Sequence, residues 1–171
     1  MVPIFTGEHT LTVDGKGRVS IPADFRRVLA AGDPDRTPDR TPDRAVEMKI
    51  LYGDHLDRRL HFYTMSAFAQ IQADILALPR GSEARNMASR LILGQSVTAE
   101  MDRDGRMVIP QKQREKIGLT EGKVYFSGLG EFFEVWNAET WAETEGAETK
   151  AWLEDKPRGF DPLILLQPGG S

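Results

Sequence analysis

The 171-residue sequence contains no cysteine. That removes disulfides, thiol nucleophiles and thiolate metal sites together, and it fits a reducing compartment. Long apolar runs are missing too. The longest are a few residues, far short of the roughly 20 that cross a bilayer. Residues 1–10 are mixed in character and lack the apolar core of a signal peptide. The expectation from these absences is a soluble cytoplasmic protein. An excess of positive charge is also absent. There are 22 Lys and Arg against 26 Asp and Glu, a formal net charge of −4, which at first sight disfavours phosphate backbones. Wholesale disorder is excluded, because 40% of residues are apolar and 28% charged.

Catalytic and metal-binding patterns are scarce. Asp102-Arg103-Asp104-Gly105 opens like a calcium loop, but Gln113 stands where the bidentate glutamate belongs. The histidines His9, His55 and His61 meet no zinc spacing. No Gly-x-Ser-x-Gly elbow occurs, and Gly15-Lys16-Gly17 lacks the rest of a phosphate loop. The sequence therefore predicts no enzyme, no metal, no cofactor and no small-molecule substrate.

What is present is a repeat. Residues 14–26 and 102–114 share the pattern D-x-x-x-R-h-x-I-P-x-x-x-R, where h is apolar. Asp14, Arg18, Ile21, Pro22 and Arg26 each recur 88 positions later, as Asp102, Arg106, Ile109, Pro110 and Arg114. Chance does not give five identities in one ungapped register, so the unit is duplicated. Matching Tyr63 to Trp136 and Phe68 to Trp141 lowers the offset to 73. The first copy thus holds about 15 extra residues, and the tract from Asp33 to Arg44, DPDR-TPDR-TPDR, is the place for them. Proline at every fourth position forbids helix and strand interiors. The tract is expected to be an extended insertion. It is either a tolerated expansion or, with its three arginines, a recognition arm.

Each unit reads as strand, turn, strand, short helix, strand. Thr10–Val13 alternates, Asp14–Gly17 is a turn, and Arg18–Ile21 alternates again with Val19 and Ile21 on one face. Pro22 suits a helix start, with Phe25, Val28 and Leu29 as its apolar stripe. Thr98–Met101, Arg103–Gly105, Met107–Ile109 and Pro110 repeat this, and Gly118 ends the second helix. Between the copies a helical pair is expected. The first helix has Phe68, Ile71, Ile75 and Leu78 at helical spacing. The second starts at Ser82, with Ala84, Met87, Ala88, Leu91 and Ile92 inward. A last helix is expected over 138–153, with Trp141 and Trp152 on one face. Leu163-Ile164-Leu165-Leu166 is an apolar patch near the C-terminus. The organisation is then a first unit at 7–68 with its insertion at 33–44, connecting helices at 69–95, a second unit at 96–141, and an acidic helix and tail at 142–171.

The duplicated arginine stands just after a turn, where a hairpin presents it outward beside Lys16 or Arg103. Its fork bonds guanine O6/N7 or clamps a phosphate. The aspartate four residues earlier reaches it across the turn, so an exposed hairpin ion pair of about 0–1 kcal/mol is the competing explanation. The charge distribution bears on this choice. Residues 131–171 hold nine acidic and three basic residues, while 102–116 hold five basic and three acidic. The basic groups are gathered on the repeats.

These residues carry a resemblance. Phe5-Thr6-Gly7 followed by Asp14-x-Lys16-Gly17-Arg18-x-x-Ile21-Pro22-x-x-Phe25-Arg26 looks like the first signature of the MraZ family of bacterial transcriptional regulators. Asp102-x-x-Gly105-Arg106-x-x-Ile109-Pro110, then Gly118-Leu119 and Phe133-Glu134-x-Trp136, looks like the second. Arg90-x-x-Leu93-Gly94 is also typical, and the likeness runs from about Phe5 to Trp141. It implies an α+β, β-rich fold of two interlocked SpoVT/AbrB-type swapped-hairpin units, forming a barrel about a pseudo-two-fold. It implies sequence-specific binding to double-stranded DNA at promoter repeats of the cell-wall and division cluster, including the protein's own promoter, by a ring-like homo-oligomer in the cytoplasm and nucleoid. By the resemblance Arg18 and Arg106, with Asp14 and Asp102, are the DNA-contacting motif. Lys16, Arg26, Arg103, Lys112 and Arg114 are accessory candidates. The competing class is an antitoxin-like interaction module whose target is a partner protein, served by the acidic C-terminal third and the 163–166 patch.

Overall fold

The computed structural model describes residues 2–36 and 43–169. The chain divides into two compact units, Met1–Ala138 and Glu139–Ser171. In the first, one repeat supplies β1 (Phe5–Val13), β2 (Arg18–Ser20), α1 (Ala23–Ala31), β3 (Val46–Leu51), β4 (Arg59–Thr64) and α2 (Met65–Leu76). A short helix α3 (Glu83–Ala88) and a π-helical turn, Ser89–Leu93, lead to the second repeat. That repeat supplies β5 (Ser96–Met101), β6 (Arg106–Val108), α4 (Gln111–Lys116), β7 (Gly122–Gly130) and β8 (Phe132–Asn137). All eight strands join one antiparallel sheet, in the order β1-β7-β8-β4-β3-β5-β6-β2, which curls into a nearly closed barrel.

The repeats interleave. Each first strand leaves its own unit and pairs with the hairpin of the other, β1 with β7 and β5 with β3. The second hairpin strands meet across the pseudo-two-fold, β4 with β8, and so do the short strands, β2 with β6. The α+β, β-rich fold of duplicated, interlocked units implied by the resemblance therefore holds, and both repeats contribute to the one compact unit Met1–Ala138. Registers locate the insertion. Val13 pairs with Gly122 and Met101 with Val46, so Val46 and Gly122 are equivalents, 76 apart. Ile50 pairs with Phe62 and Phe126 with Val135, so Phe62 and Val135 are equivalents, 73 apart. Twelve of the 15 extra residues thus precede β3, at the Pro-Asp-Arg tract, and three fall between β3 and β4. Residues 37–42 of the tract lie outside the described residues.

The interleaving is driven by burial. Phe5, Phe25 and Phe62 of the first repeat and Phe126 and Phe133 of the second are all 0–1% exposed. Phe133 touches the other four rings, at centroid distances of 4.8–5.1 Å. Neither repeat closes this cluster alone, so the apolar driving force itself demands exchange of strands.

Three expectations change. The turns at 14–17 and 102–105 are closed at their tips, Asp14 N to Arg18 O at 3.0 Å and Asp102 N to Arg106 O at 2.9 Å. The strands then diverge, because Val19 and Met107 are buried by pairing β2 with β6 instead. In the connector, Ser82 caps α3 as expected, accepting from Arg85 N at 3.2 Å. Ala84 and Met87, however, are exposed, since the π-helical turn rotates the face that packs, and Ile92 and Leu93 meet Leu51, Leu56, Tyr63 and Phe68. The expected helix over 138–153 is two helices, α5 (Ala138–Glu143) and α6 (Glu145–Glu154). Thr144 breaks it, with non-helical φ −117° and ψ −93°, and its hydroxyl donates to Thr140 O at 2.6 Å. The helical spacing of Trp141 and Trp152 therefore does not carry across, and Trp152 is exposed. In this second unit Leu163–Leu166 forms an exposed 3-10 turn. Among the described residues no helix is long and apolar enough to cross a membrane.

Candidate nucleic-acid interface

The two turns are built alike, atom for atom. Asp14 Oδ1 accepts from the amides of Lys16 and Arg18, at 3.0 and 2.9 Å. Asp102 Oδ1 accepts from those of Asp104 and Arg106, at 2.9 Å each. A short acidic side chain bonding the backbone two and four residues on is what fixes such a turn. The same amides hold both carboxyls below the ordinary aspartate range. For Asp14 the Arg18 amide acts first and its guanidinium second, and for Asp102 the Arg106 amide dominates. The turns' stabilisation by the carboxylates is thus complete above about pH 4 and lost as pH falls through the lowered values. A carboxyl-carbon NMR titration is expected to give both midpoints below about 3.9. Midpoints at or above that value are incompatible with this hydrogen-bonding.

Glycine closes each turn at positive φ, +87° at Gly17 and +76° at Gly105. The backbone there crosses to the other repeat. Ile109 N donates to Gly17 O and Ile21 N to Gly105 O, both at 2.8 Å. A Cβ on Gly17 would stand 2.7 Å from Ile109 O, and one on Gly105 would strike the Arg26 guanidinium. Arg26 and Arg114 are therefore half-buried braces. Arg26 Nε donates to Ile21 O at 2.5 Å, and Arg114 Nε donates to Ile109 O at 3.0 Å. The motif's last arginine touches the glycine of the opposite turn in both copies.

The interlock brings Arg18 and Arg106 together. In the β2–β6 ribbon Arg18 faces Val108, Val19 faces Met107, and Ser20 faces Arg106. Val19 and Met107 point into the core, so Arg18, Ser20, Arg106 and Val108 share the outer face. The two arginines are diagonal cross-strand neighbours, about 7–8 Å apart by sheet geometry, and both line the same shallow grooves. Each side chain is 51% exposed. They are held differently. Arg18 Nε donates to Asp14 Oδ2 at 2.6 Å, and no other partner engages that side chain among the described residues. Arg106 lies 3.7 Å from Asp102 and also donates through Nη2 to Asp104 at 3.3 Å. Asp104 stands where the first copy has Lys16.

The remaining candidates lie around the ribbon. Lys16 and Arg103 are exposed on the two turns, Arg103 within 3.8 Å of Asp43. Lys112 holds its ammonium 5.1 Å from the Tyr52 ring centre, a cation–π contact. Sequence reasoning missed Ser20 and Val108 as part of the outer face. The alternation through Val19 and Met107 was the signal that would have found them. Among the described residues no three His, Cys, Asp or Glu side chains gather to hold a metal.

Comparison with known proteins agrees with the duplication. The chain matches the family model "MraZ protein, putative antitoxin-like" over residues 4–91 and again over 92–157. It is 45% identical over 166 residues to Transcriptional regulator MraZ of Ruegeria pomeroyi, covering 97% of this chain and 96% of that protein. The protein of the same name from Cereibacter sphaeroides is 38% identical, with 99% of both chains covered. That from Leuconostoc mesenteroides is 30% identical over 139 residues, 81% of this chain and 85% of the other.

Proposed function

This chain belongs to the MraZ family, and from that premise we propose that it is a sequence-specific DNA-binding transcriptional regulator that reads DNA with the β2–β6 ribbon. The observation that carries the reading is the convergence of Arg18 and Arg106 on one exposed ribbon face. A two-stranded ribbon fits the major groove, and an arginine fork there bonds guanine O6 and N7. Asp14 holds one edge of Arg18 and leaves its two terminal nitrogens for a base. Lys16 and Arg103 reach flanking phosphates, Arg26 and Arg114 brace the turns, Asp14 and Asp102 aim the arginines, and Lys112 is an outlying cation. The names of the relatives support the regulatory role. On this reading the protein acts in the cytoplasm at the nucleoid, represses the cell-wall and division cluster from repeats in its own promoter, and binds as a ring-like homo-oligomer. Linked subunits on repeated sites gain avidity from effective concentration, which suits a chain whose net charge of −4 gives little general affinity for DNA.

A second reading, an antitoxin-like module acting through a protein partner, is favoured by one observation. Leu163, Ile164, Leu165 and Leu166 are 40–80% exposed in the C-terminal unit. Binding to DNA from upstream of the gene, across a salt series, separates the two. A regulator shows affinity falling linearly on a log–log plot, with a slope of about −0.9 per phosphate contacted. It also prefers intact over scrambled repeats by roughly a thousandfold or more. Equal affinity for scrambled DNA, or a stoichiometric protein partner with no salt-dependent DNA binding, refutes the first reading.

A further inference from the structure

Beside the second turn lies an open recess of about 500 Å³ walled by Arg26, Arg27, Arg36, Arg44 and Arg103. Among the described residues its acids are Asp43 and Asp102. Asp102 is engaged by the amides of its own turn, and Asp43 is 3.8 Å from Arg103. Among the described residues five cations line the recess against two acids, and Arg44 is paired from outside it by Asp35 and Glu47, which leaves the recess net positive. Arg36 and Arg44 come from the described ends of the Pro-Asp-Arg tract, whose root is fixed in place. The buried Asp33 carboxylate accepts from Asp35 N at 3.1 Å and from Glu47 N at 3.0 Å, tying the start of the tract to β3. Arg44 is held by Asp35 O at 3.3 Å and by Glu47 at 3.5 Å.

Two of these arginines keep an open donor among the described residues. Arg36 Nε is the one buried side-chain nitrogen or oxygen without a hydrogen-bond partner among the described residues. A buried N–H left unmade is costly, and an anionic oxygen is its strongest complement. Arg27, exposed on α1, makes no ion pair among the described residues. The pseudo-two-fold supplies an internal control. The equivalents of Arg27 and Arg103 are Glu115 and Gly15, and the tract has none. At the first turn Glu121 stands instead, 3.4 Å from where a Cβ on Gly15 would lie. The positive recess is therefore a property of one turn only: Arg26 belongs to the duplicated motif, but Arg27, Arg36, Arg44 and Arg103 have no basic counterpart in the other copy.

We propose that this recess is a phosphate-binding site, and that it takes a backbone phosphate of the DNA flanking the segment read by the ribbon. The proposal rests on the DNA reading of that ribbon. An arginine cluster with open forks matches a phosphate's oxygens. It adds affinity without sequence information, because phosphate contacts position a protein rather than specify a base.

Fluorescence anisotropy with a labelled duplex from upstream of the gene, over a salt series, tests it. Three forms of the full chain are compared: unaltered, Arg27→Glu and Arg27→Lys. Arg27 is exposed and has no ion pair to lose among the described residues, so the fold is not at stake. Arg27→Glu, which installs the residue found at the equivalent position, is expected to weaken binding about tenfold at about 100 mM salt and to flatten the salt slope by about 1. Arg27→Lys keeps both, and the ratio between intact and scrambled repeats stays unchanged in all three. Calorimetric titration with inorganic phosphate alone distinguishes the source of the ligand. Phosphate binding that Arg27→Glu abolishes, with the DNA slope unmoved, overturns the DNA assignment in favour of a free phosphate compound. Unaltered DNA affinity and slope in Arg27→Glu, with no phosphate binding, overturn the site altogether while the ribbon reading stands. Absence of DNA binding by the unaltered chain removes the ribbon reading, and this proposal with it.

Discussion

The double variant Arg18→Ala, Arg106→Ala is expected to lose most of the preference for promoter repeats over scrambled DNA. A bidentate arginine–guanine contact discriminates by about 1–3 kcal/mol, and each 1.4 kcal/mol is tenfold in affinity. The two side chains are diagonal neighbours on one ribbon, so their losses need not add. The combined loss should fall between about 2 and 6 kcal/mol, roughly thirtyfold to beyond ten-thousandfold. Arg18→Ala alone should cost more than Arg106→Ala, because Asp104 already occupies one terminal nitrogen of Arg106. Lysine should not rescue either position, since a point charge cannot reproduce the planar fork. Folding should be untouched, because both ion pairs are half-exposed and screened by solvent. A gel shift in which the double variant binds like the unaltered chain, with an unchanged melting curve, would remove base contact from the ribbon.

Phe133→Ala should act on the fold and not on the contacts. Phe133 is fully buried among four phenylalanines, three from the other repeat. Truncating a buried phenylalanine costs about 3–5 kcal/mol, a large share of the 5–15 kcal/mol that holds a typical domain. At about 2–4 °C per kcal/mol for a chain of this size, the melting temperature should drop by about 6–20 °C. Circular dichroism during heating measures it. A drop of under about 2 °C would mean that the ring cluster is not what locks the repeats together. DNA affinity measured well below the transition should be largely retained, which separates this variant from the arginine pair.

The duplication made much of the architecture readable. Asp14 with Arg18 and Asp102 with Arg106 marked the turns, and Phe25, Val28 and Leu29 marked the face of α1 that is buried. Partner choice was not readable from the residues, because a three-residue strand such as β2 carries no local sign that it will pair with β6, 88 positions on. The resemblance supplied the interlock, and the registers then divided the insertion between two places. Arg26 and Arg114 read only as accessory DNA-contact candidates, because helical spacing shows which face a residue occupies. It does not show that the opposite repeat leaves a glycine beneath it. The break at Thr144 was masked by its flanking helix formers Glu143 and Glu145, although Gly146 two residues on was a sign of it, and the hydroxyl bond to Thr140 O places it at Thr144. Arg36 and Arg44 could be counted in the tract, but only the buried anchor at Asp33 shows that they are fixed beside a turn.

The interleaved order of strands has a consequence for synthesis. β1 leaves the ribosome early, yet Phe5 pairs with Gly130, 125 positions later. The first repeat therefore waits, with its N-terminal strand unpaired and its hairpin edge open, until β7 and β8 have been translated. Pairings this distant in sequence close slowly, and open edges in the interval are available to other chains. On a crowded polysome the nearest such chain is another copy of the same protein, whose β7–β8 hairpin accepts β1 equally well. Exchange between nascent neighbours is thus built into the connectivity, and the rate at which the second half is translated sets how long that exchange competes with closure within one chain.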